Sequence, residues 1–402
     1  MAKLLDVKKD FPVLVNNPNL SYLDTGATAL KPYQVIEKLN EYYTKYGVNV
    51  NRGVYKLSYQ ATLEYEETRT LTAKFLNARE KEIVFTKGAS NALNMVALGF
   101  GMNYINEGDE IISSELEHHS SVLPWVNVAK KKNATIKYIP LDSTGRITLQ
   151  GFLQVLSEKT KVIALTYVSN VMGYITPIKE IIKIAHERGI IVVVDAAQAV
   201  PHMKIDVKEL DCDFLAFSAH KMMGPTGFGI LYGKYKYLKQ MEPIEYGGDM
   251  IDTVEKYENE AKDAPFKFEA GTPPIAEAIA FKEAIKYIEK VGYENIHAHE
   301  QELLKYAKEK LKDIKGIKIY NPDAETGIIS FNVEKAHPHD VATIFDEHEV
   351  CLRAGHHCAQ LITKWLECIG TLRACIYIYN DYQDIDKFVE AIKVAVKYFE
   401  EW

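Results

Sequence analysis

The 402-residue chain has few of the features that mark secreted, membrane or nucleic-acid-binding proteins. Its five cysteines, at positions 212, 351, 358, 368 and 375, form no C-x-x-C pair. They therefore argue against a disulfide framework and a cysteine-based zinc site, and they fit a reducing cytoplasm. The strongest apolar run, Ile190 to Val194, is too short to span a bilayer, and we expect no signal peptide behind Met1. The net charge of −7 argues against a nucleic-acid or anionic-membrane partner.

Short apolar strands alternate with helical stretches in the middle of the chain. We expect strands at Val162 to Val168, Ile190 to Val194 and Phe214 to Phe217. Between the first two lies a helix, with Thr176 as its N-cap, Pro177 as its first residue and Gly189 at its end. Fully apolar strands separated by helices predict an α/β fold with a mainly parallel sheet, which binds its ligand at the carboxyl ends of the strands.

The C-terminal third has a different composition. From Ile275 to about Lys315 the residues are helical and rich in lysine and glutamate, which predicts one long helix bridging to a second domain. Short strands at 317–320, 328–333 and 374–379 then indicate a smaller α+β domain. We predict three units: an arm at 1–24 that joins the small domain, a large domain at 25–282 and a small domain at 283–402.

Two charged residues stand at the ends of predicted core strands. Lys221 follows Phe214 to Phe217, and Asp195 ends the preceding strand. Burying an ammonium group is costly unless a neighbour neutralises it or the chemistry uses it, and desolvated lysines are the usual Schiff-base nucleophiles. Without other evidence, however, a lysine at such a position is more often a solvated surface residue.

A glycine-containing turn upstream offers a candidate anion site. Residues 88–91 lie between a predicted strand, Glu82 to Thr86, and a helix beginning at Ala92. Free amide groups and the positive end of a helix dipole favour a phosphate at such a turn, although an ordinary strand-to-helix turn has the same pattern.

An enzyme that uses pyridoxal phosphate (PLP) needs a lysine, a carboxylate for the pyridine nitrogen, a phosphate cradle, a stacking partner and an arginine for a substrate carboxylate. Each of these requirements has a candidate residue here. Each candidate could also have an ordinary structural role: Asp195 as a capping residue, His118 as a buried core histidine, or Arg373 as part of a surface ion pair. The candidates are Lys221; Asp195, with Gln198 near the ring oxygen; Ser90, Ser218 and His220 for the phosphate; His118 for stacking; and Arg373.

The motifs support this reading when they are taken together. Asp195-Ala196-Ala197-Gln198 with Ser218-Ala219-His220-Lys221 resembles the signature of class V aminotransferase-fold PLP enzymes, which have transferase fold type I. Arg353-Ala354-Gly355-His356-His357-Cys358-Ala359 resembles the cysteine motif of type II, SufS-like cysteine desulfurases. Further motifs in register with that family are 51–53, 117–119, 169–171, 224–227, 268–273 and 371–374.

The resemblance implies removal of sulfur from L-cysteine, giving L-alanine and a persulfide on Cys358 in the small domain. Lys221 and His118 would share the catalysis, and His356, His357 or the substrate would favour the Cys358 thiolate. The resemblance also implies that Asn170 contacts the cofactor and, with Arg373, the substrate carboxylate. Thr272 would reach the phosphate of a partner subunit, which implies a homodimer. No resident metal is expected.

Some positions depart from the family pattern. Leu361 stands where a proline is usual, Tyr55 where many relatives have histidine, and Ala89 where the phosphate turn has a hydroxyl residue. His339 is a candidate contact for a zinc-containing, SufU-like sulfur acceptor that serves iron–sulfur cluster assembly or tRNA thiolation. A solvated histidine in a helix-capping loop is the equal alternative.

Other activities stay open at this point. A selenocysteine lyase or a class V aminotransferase would use the same cofactor, although an aminotransferase has no need of Cys358. A nucleotide-binding or scaffold protein with Gly224-Pro225-Thr226-Gly227 as phosphate loop is weakly supported, because that turn lacks the G-x-x-x-x-G-K-[S/T] spacing.

Overall fold

A computed structural model describes residues 4–400, so positions 1–3 and 401–402 of the predicted terminal units lie outside the described residues. The strands are β1 (Ser21–Tyr22), β2 (Ile83–Thr86), β3 (Glu110–Ser114), β4 (Thr135–Ile139), β5 (Thr160–Thr166), β6 (Ile191–Asp195), β7 (Phe214–Ser218), β8 (Gly229–Gly233), β9 (Ile251–Val254), β10 (Asn259–Ala261), β11 (Ile317–Ile319), β12 (Ile328–Val333), β13 (Val350–Cys351), β14 (Arg353–Gly355) and β15 (Thr371–Cys375). The helices are α1 (Pro12–Asn16), α2 (Tyr33–Glu41), α3 (Lys56–Leu76), α4 (Ala89–Met95), α5 (Met102–Tyr104), α6 (His119–Lys132), α7 (Leu149–Val155), α8 (Ile178–His186), α9 (Val207–Leu210), α10 (Tyr235–Gln240), α11 (Ile275–Val291), α12 (Tyr293–Leu311), α13 (Pro338–Glu347), α14 (Gln360–Trp365) and α15 (Tyr382–Glu400). Among residues 4–400, no helix combines the length and the apolar character that crossing a membrane requires.

A seven-stranded sheet has the order β2-β8-β7-β6-β5-β3-β4. Six strands run in one direction, and β8 is antiparallel to its neighbours β2 and β7. Both faces are covered: in β6, Val192 and Val194 pack into one apolar cluster while Ile191 and Val193 pack into another. This double burial explains the continuous apolar run of that strand. The predicted α/β fold with a mainly parallel sheet is confirmed.

The register of the sheet aligns the strand ends that carry polar residues. Thr166 pairs with Asp195, Asp195 with Ala216, and Ser218 with Gly229. Because these strands are parallel apart from β8, the loops that follow β2, β3, β5, β6 and β7 open at one edge of the sheet.

A second sheet has the order β11-β12-β15-β14, with every pair antiparallel. Its apolar face packs with α12, α13 and α15, through side chains such as Leu303, Phe345 and Phe388. β1 pairs in parallel with β13, so the N-terminal segment lies beside the segment that precedes Cys358. The predicted boundary after residue 282 falls inside α11, and the division into three units stays a prediction.

Three local predictions are wrong. The long helix is two helices, α11 and α12, separated by Gly292 at φ +83, whose N–H donates to the Ile288 carbonyl at 2.8 Å. Thr176 does not cap α8: its buried hydroxyl has no hydrogen-bond partner, and Pro177 precedes the first helical residue without a side-chain cap. The last strand, β15, ends at Cys375, and the buried apolar residues 376–379 that follow lie outside it.

Candidate active site

A cavity of about 180 Å³ lies at the carboxyl edge of the seven-stranded sheet. The large sheet contributes its walls through the loops after β2, β3, β5, β6 and β7, and the segments around β14 and β15 close it. The predicted residues that line it are Ser90, His118, Asn170, Asp195, Ser218, His220, Lys221, His357, Cys358 and Arg373. Residues from distant parts of the chain therefore meet in one cavity.

Lys221 and Asp195 are the charged groups at the sheet edge. Burial lowers the pKa of the Lys221 amine, and Asp195 opposes that shift while Arg373 adds to it. Burial raises the pKa of the Asp195 carboxyl, against the charge of Lys221 and the N–H of Ala197, which donates to Oδ1 at 3.0 Å. The cavity thus holds an amine that gives up its proton easily and a buried carboxylate that a cationic group would stabilise.

The turn after β2 is built for an anion. Gly88, at φ +141, precedes α4, and a Cβ there would lie 3.3 Å from the Ser218 hydroxyl. That hydroxyl accepts the Ala89 N–H at 2.8 Å, and the Ser90 and Ser120 hydroxyls are 2.5 Å apart. The helix begins at Ala89 rather than at the predicted Ala92, so its positive end faces these hydroxyls. The group of donors fits the phosphate of PLP.

His118 is the N-cap of α6. Its Nδ1 accepts the N–H of Ser120 at 3.1 Å, so the proton of the neutral ring is on Nε2. Burial and the charge of Lys221 lower the pKa of His118 to about 3. A neutral imidazole therefore faces the cavity at physiological pH.

The acid stability of the protein should reflect its buried histidines. Burial lowers the pKa of His118 to about 3, of His220 to about 4 and of His357 to about 2. Near pH 6.5 these histidines bind protons in the unfolded chain but not in the folded protein. The free energy of unfolding is therefore highest above that pH and falls as the pH drops toward the pKa values of the folded state. His357 alone should contribute up to about 1.4 kcal/mol per pH unit. Urea unfolding of the cofactor-free protein at pH values between about 7 and 5 measures this slope.

The variant His357→Gln keeps a side-chain N–H but no longer titrates. It should make the dependence of the urea midpoint on pH shallower than in the wild type. Equal slopes for the two proteins would contradict the prediction.

Cys358 lies in a loop with an unusual backbone. Its side chain is exposed, and both His357 and Cys358 have positive φ, +51 and +54. The His357 ring is buried, its Nε2 donates to the Thr371 carbonyl at 2.9 Å, and its Nδ1 has no partner. Because its pKa is so low, His357 is neutral and gives no positive charge to a Cys358 thiolate.

Arg373 is 2% exposed and only partly paired. Its Nη1 donates to the main-chain carbonyl of Asn170 at 2.9 Å, its Nη2 is 3.6 Å from a carboxylate oxygen of Asp24, and its Nε has no partner. Gly26 makes room for it, since a Cβ there would lie 3.1 Å from the guanidinium carbon. A buried guanidinium with a free N–H favours an additional anionic ligand.

Four predicted residues lie outside the cavity lining, and one of them is His356, whose Nδ1 lies 2.8 Å from the Thr363 hydroxyl. The Gln198 amide is buried and donates to the Gly26 carbonyl at 2.8 Å. Thr272 is exposed and lines a separate surface cavity. His339 is exposed at the start of α13, where its ring stacks on His337 and would be 3.8 Å from a Cβ on Gly355. Among residues 4–400, no three His, Cys, Asp or Glu side chains form a group that could hold a metal ion.

The cavity also contains residues to which no role was given from the sequence. Ser120 contacts Ser90, and Arg353 donates to Asp24 at 2.9 Å on the rim. Arg353 belongs to the cysteine motif, and Ser120 follows closely after His118. The position of these residues within or beside the motifs is therefore the sequence signal that could have assigned them to the site. Asp24 carries no motif, and only the folded chain places it between Arg353 and Arg373.

The class V aminotransferase family matches residues 21–388 of the chain. The probable cysteine desulfurase of Staphylococcus aureus is 49% identical over 400 residues, which cover 98% of this chain and 97% of that protein. This chain belongs to the cysteine desulfurase family. The cysteine desulfurase of Thermococcus onnurineus NA1 has the same fold, with a TM-score of 0.94 and 41% identity over 99% of this chain and 100% of that one. The cysteine desulfurase CsdA of Escherichia coli gives a TM-score of 0.91 and 34% identity over 97% and 98% of the two chains.

Membership of this family makes the chain a PLP-dependent enzyme with transferase fold type I. The cavity fits the cofactor: the turn at Gly88 and Ser218 can hold its phosphate, Asp195 can pair with its ring nitrogen, and Lys221 can bond to its aldehyde.

Proposed function

We propose that the enzyme converts L-cysteine and the thiol of Cys358 into L-alanine and a persulfide on Cys358. The observation that supports this most is the presence of the exposed Cys358 in the same cavity as Lys221 and Asp195. Purified enzyme given L-cysteine and a reductant should release alanine and sulfide in equal amounts. A protein that converts L-cysteine into a keto acid instead would be an aminotransferase, and one that released alanine only from selenocysteine would be a selenocysteine lyase.

PLP, when bound, supplies an electron sink that weakens the bonds at the substrate Cα and Cβ. Asp195 would hold the pyridine nitrogen in its protonated form, and the neutral His118 would stack on the ring. Ser90, Ser218 and His220 would hold the phosphate. Gln198 is the weakest of the proposed cofactor contacts, because its amide is already bound to the Gly26 carbonyl.

Lys221 would hold the cofactor and then move a proton at the substrate Cα. Its pKa is lowered by burial, so a larger fraction of the amine is unprotonated and able to act as a base near neutral pH. His118 would carry a proton through Nε2, because its Nδ1 already accepts the Ser120 N–H.

Cys358 would act as the nucleophile toward the substrate sulfur. A sulfur–sulfur bond forms as the Cβ–S bond breaks, and the electron pair of that bond passes to the carbon side, where a proton completes the methyl group of alanine. No external oxidant or reductant is needed, because the two electrons that the Cys358 and substrate sulfurs lose on forming their bond are gained by the substrate Cβ. A reducing compartment such as the cytoplasm would keep the Cys358 thiol in its reduced form.

Arg373 would bind the substrate carboxylate, with Asn170 beside it. In Arg373→Lys, we expect the KM for L-cysteine to rise about 10- to 100-fold, because an ammonium cannot form the paired hydrogen bonds of a guanidinium. Steady-state kinetics of alanine release measures this. Arg146→Lys is the matched control, since Arg146 pairs with Glu325 outside the cavity and its loss should leave the KM unchanged. Equal KM values for the two variants would contradict the assignment.

A homodimer is proposed in which Thr272 contacts the phosphate bound to the other subunit. Thr272 is exposed and outside its own cavity, as such a role requires. Large apolar side chains that a monomer would leave in water also support an interface; between residues 43 and 63 these are Tyr43, Val54, Tyr55, Leu57, Tyr59 and Leu63. Sedimentation equilibrium tests the dimer, and loss of cofactor affinity in Thr272→Val tests the contact.

A SufU-like acceptor that feeds iron–sulfur cluster assembly or tRNA thiolation is the proposed partner, with His339 at its contact surface. His339 is exposed, and its ring lies near the backbone at Gly355, in the strand that leads into the Cys358 loop. His339→Ala should lower acceptor-stimulated turnover about tenfold while turnover with a small thiol stays unchanged. Glu347→Ala, an exposed position at the other end of α13, is the control, and an unaltered response to the acceptor in the His339 variant would remove this role.

A further inference from the structure

The loop that carries Cys358 needs to be held in place. Two consecutive residues other than glycine, His357 and Cys358, have left-handed backbone conformations. Left-handed backbone is unfavourable for residues that carry a Cβ, so such residues persist only where their surroundings fix them. The loop must therefore receive hydrogen bonds that compensate.

Those hydrogen bonds come from the segments after β3 and β5. The Asn170 amide donates to the His357 carbonyl at 2.8 Å. The main-chain N–H of His119, the first residue of α6, donates to the Cys358 carbonyl at 2.7 Å. The ring Nε2 of His119 accepts the N–H of Gln360 at 3.1 Å. His119 thus contacts the loop twice, through its backbone at the Cys358 carbonyl and through its ring at the Gln360 N–H.

The ring of His119 can accept this hydrogen bond only when Nε2 carries no proton. Burial and the nearby His356 lower the pKa of His119, which favours the neutral ring. His118 cannot replace it, because the Nδ1 of His118 is taken by Ser120 and its ring faces the cavity.

We propose that His119 is a positioning residue that holds Cys358 in its reactive place by accepting the Gln360 N–H. This inference rests on the proposed role of Cys358 as the nucleophile. It assigns distinct tasks to the two neighbouring histidines: His118 faces the cofactor site, and His119 fixes the loop that brings the thiol.

Two variants of the cofactor-loaded enzyme separate the ring acceptor from the space that the ring fills. His119→Gln keeps an acceptor at nearly the same reach, and His119→Leu removes it while keeping an apolar side chain of moderate size. Both retain the main-chain bond to Cys358. The measurements are kcat and KM for alanine release, and hydrogen exchange of the peptide that covers residues 358–362.

We expect about a tenfold loss of kcat in His119→Leu with an unchanged KM, because Arg373 still binds the substrate. The 358–362 peptide should exchange faster in that variant alone, and His119→Gln should recover most of the kcat and of the protection. Wild-type exchange and kcat in His119→Leu would overturn the proposal, as would equal defects in both variants. Cys358→Ala separates the proposed function from this inference. If that variant still released alanine, the role of Cys358 as nucleophile would be wrong. The exchange data would still decide whether the His119 ring holds the loop.

Discussion

Cys358→Ala should lose alanine release from L-cysteine by a factor of about 10⁴ or more. The other residues of the cavity can bind cysteine and loosen the Cα proton, but none of them can accept the sulfur. The exposed thiol in its left-handed loop is the one group placed for that step. Alanine measured after rapid quenching, and persulfide measured by mass spectrometry of the intact protein, report the two halves of the reaction.

The control is Cys351→Ala, seven residues away. Burial raises the pKa of the Cys351 thiol, so that cysteine is a poor nucleophile and its loss should leave turnover within about twofold. Persulfide that remained on the protein after Cys358→Ala, with turnover intact, would show that another thiol accepts the sulfur.

Lys221→Ala should be equally damaging but should fail at an earlier step. Without the amine there is no base at the substrate Cα, and a loss of about 10⁴-fold in kcat is expected. The two variants can be told apart in D₂O: Cys358→Ala should still exchange the Cα proton of bound cysteine, whereas Lys221→Ala should not. Nuclear magnetic resonance of the recovered amino acid measures this exchange.

Lys221→Arg tests whether a positive charge at position 221 is enough to support the activity. A guanidinium keeps its proton at any accessible pH, so it can neither bond to the cofactor aldehyde nor act as a base, and activity should stay as low as with alanine. Recovery of exchange in the arginine variant would mean that Lys221 serves only as a counter-charge to Asp195.

The sequence was sufficient to predict the large sheet, because the signals that specify it are local. A strand buried on both faces must be apolar along its whole length, and helix periodicity and glycine then mark what connects one strand to the next. In parallel strands this pattern also predicts that Asp195 and Lys221 reach the same edge. The motifs extended the prediction to Cys358 and Arg373, although no local pattern says that those residues lie near Lys221.

The local errors have different causes. Gly292 adopts a positive φ and ends α11 within a continuous helical pattern, so the glycine itself was the signal for that break. The Thr176 hydroxyl has no partner, and Pro177 precedes the first helical residue in its place. The Gln198 amide binds the carbonyl of Gly26, a residue far away in the chain, instead of lining the cavity.

What the sequence alone determined is the type of chemistry: a lysine, a carboxylate, an anion turn and a cysteine in an α/β fold. Only the tertiary structure decided the state of these groups and what holds them. Desolvation, which depends on packing from every side, keeps His118 and His357 neutral and loosens the proton of Lys221. Contacts between residues far apart in the chain attach the Cys358 loop to His119 and Asn170, because a strained loop is fixed by what surrounds it rather than by its own residues.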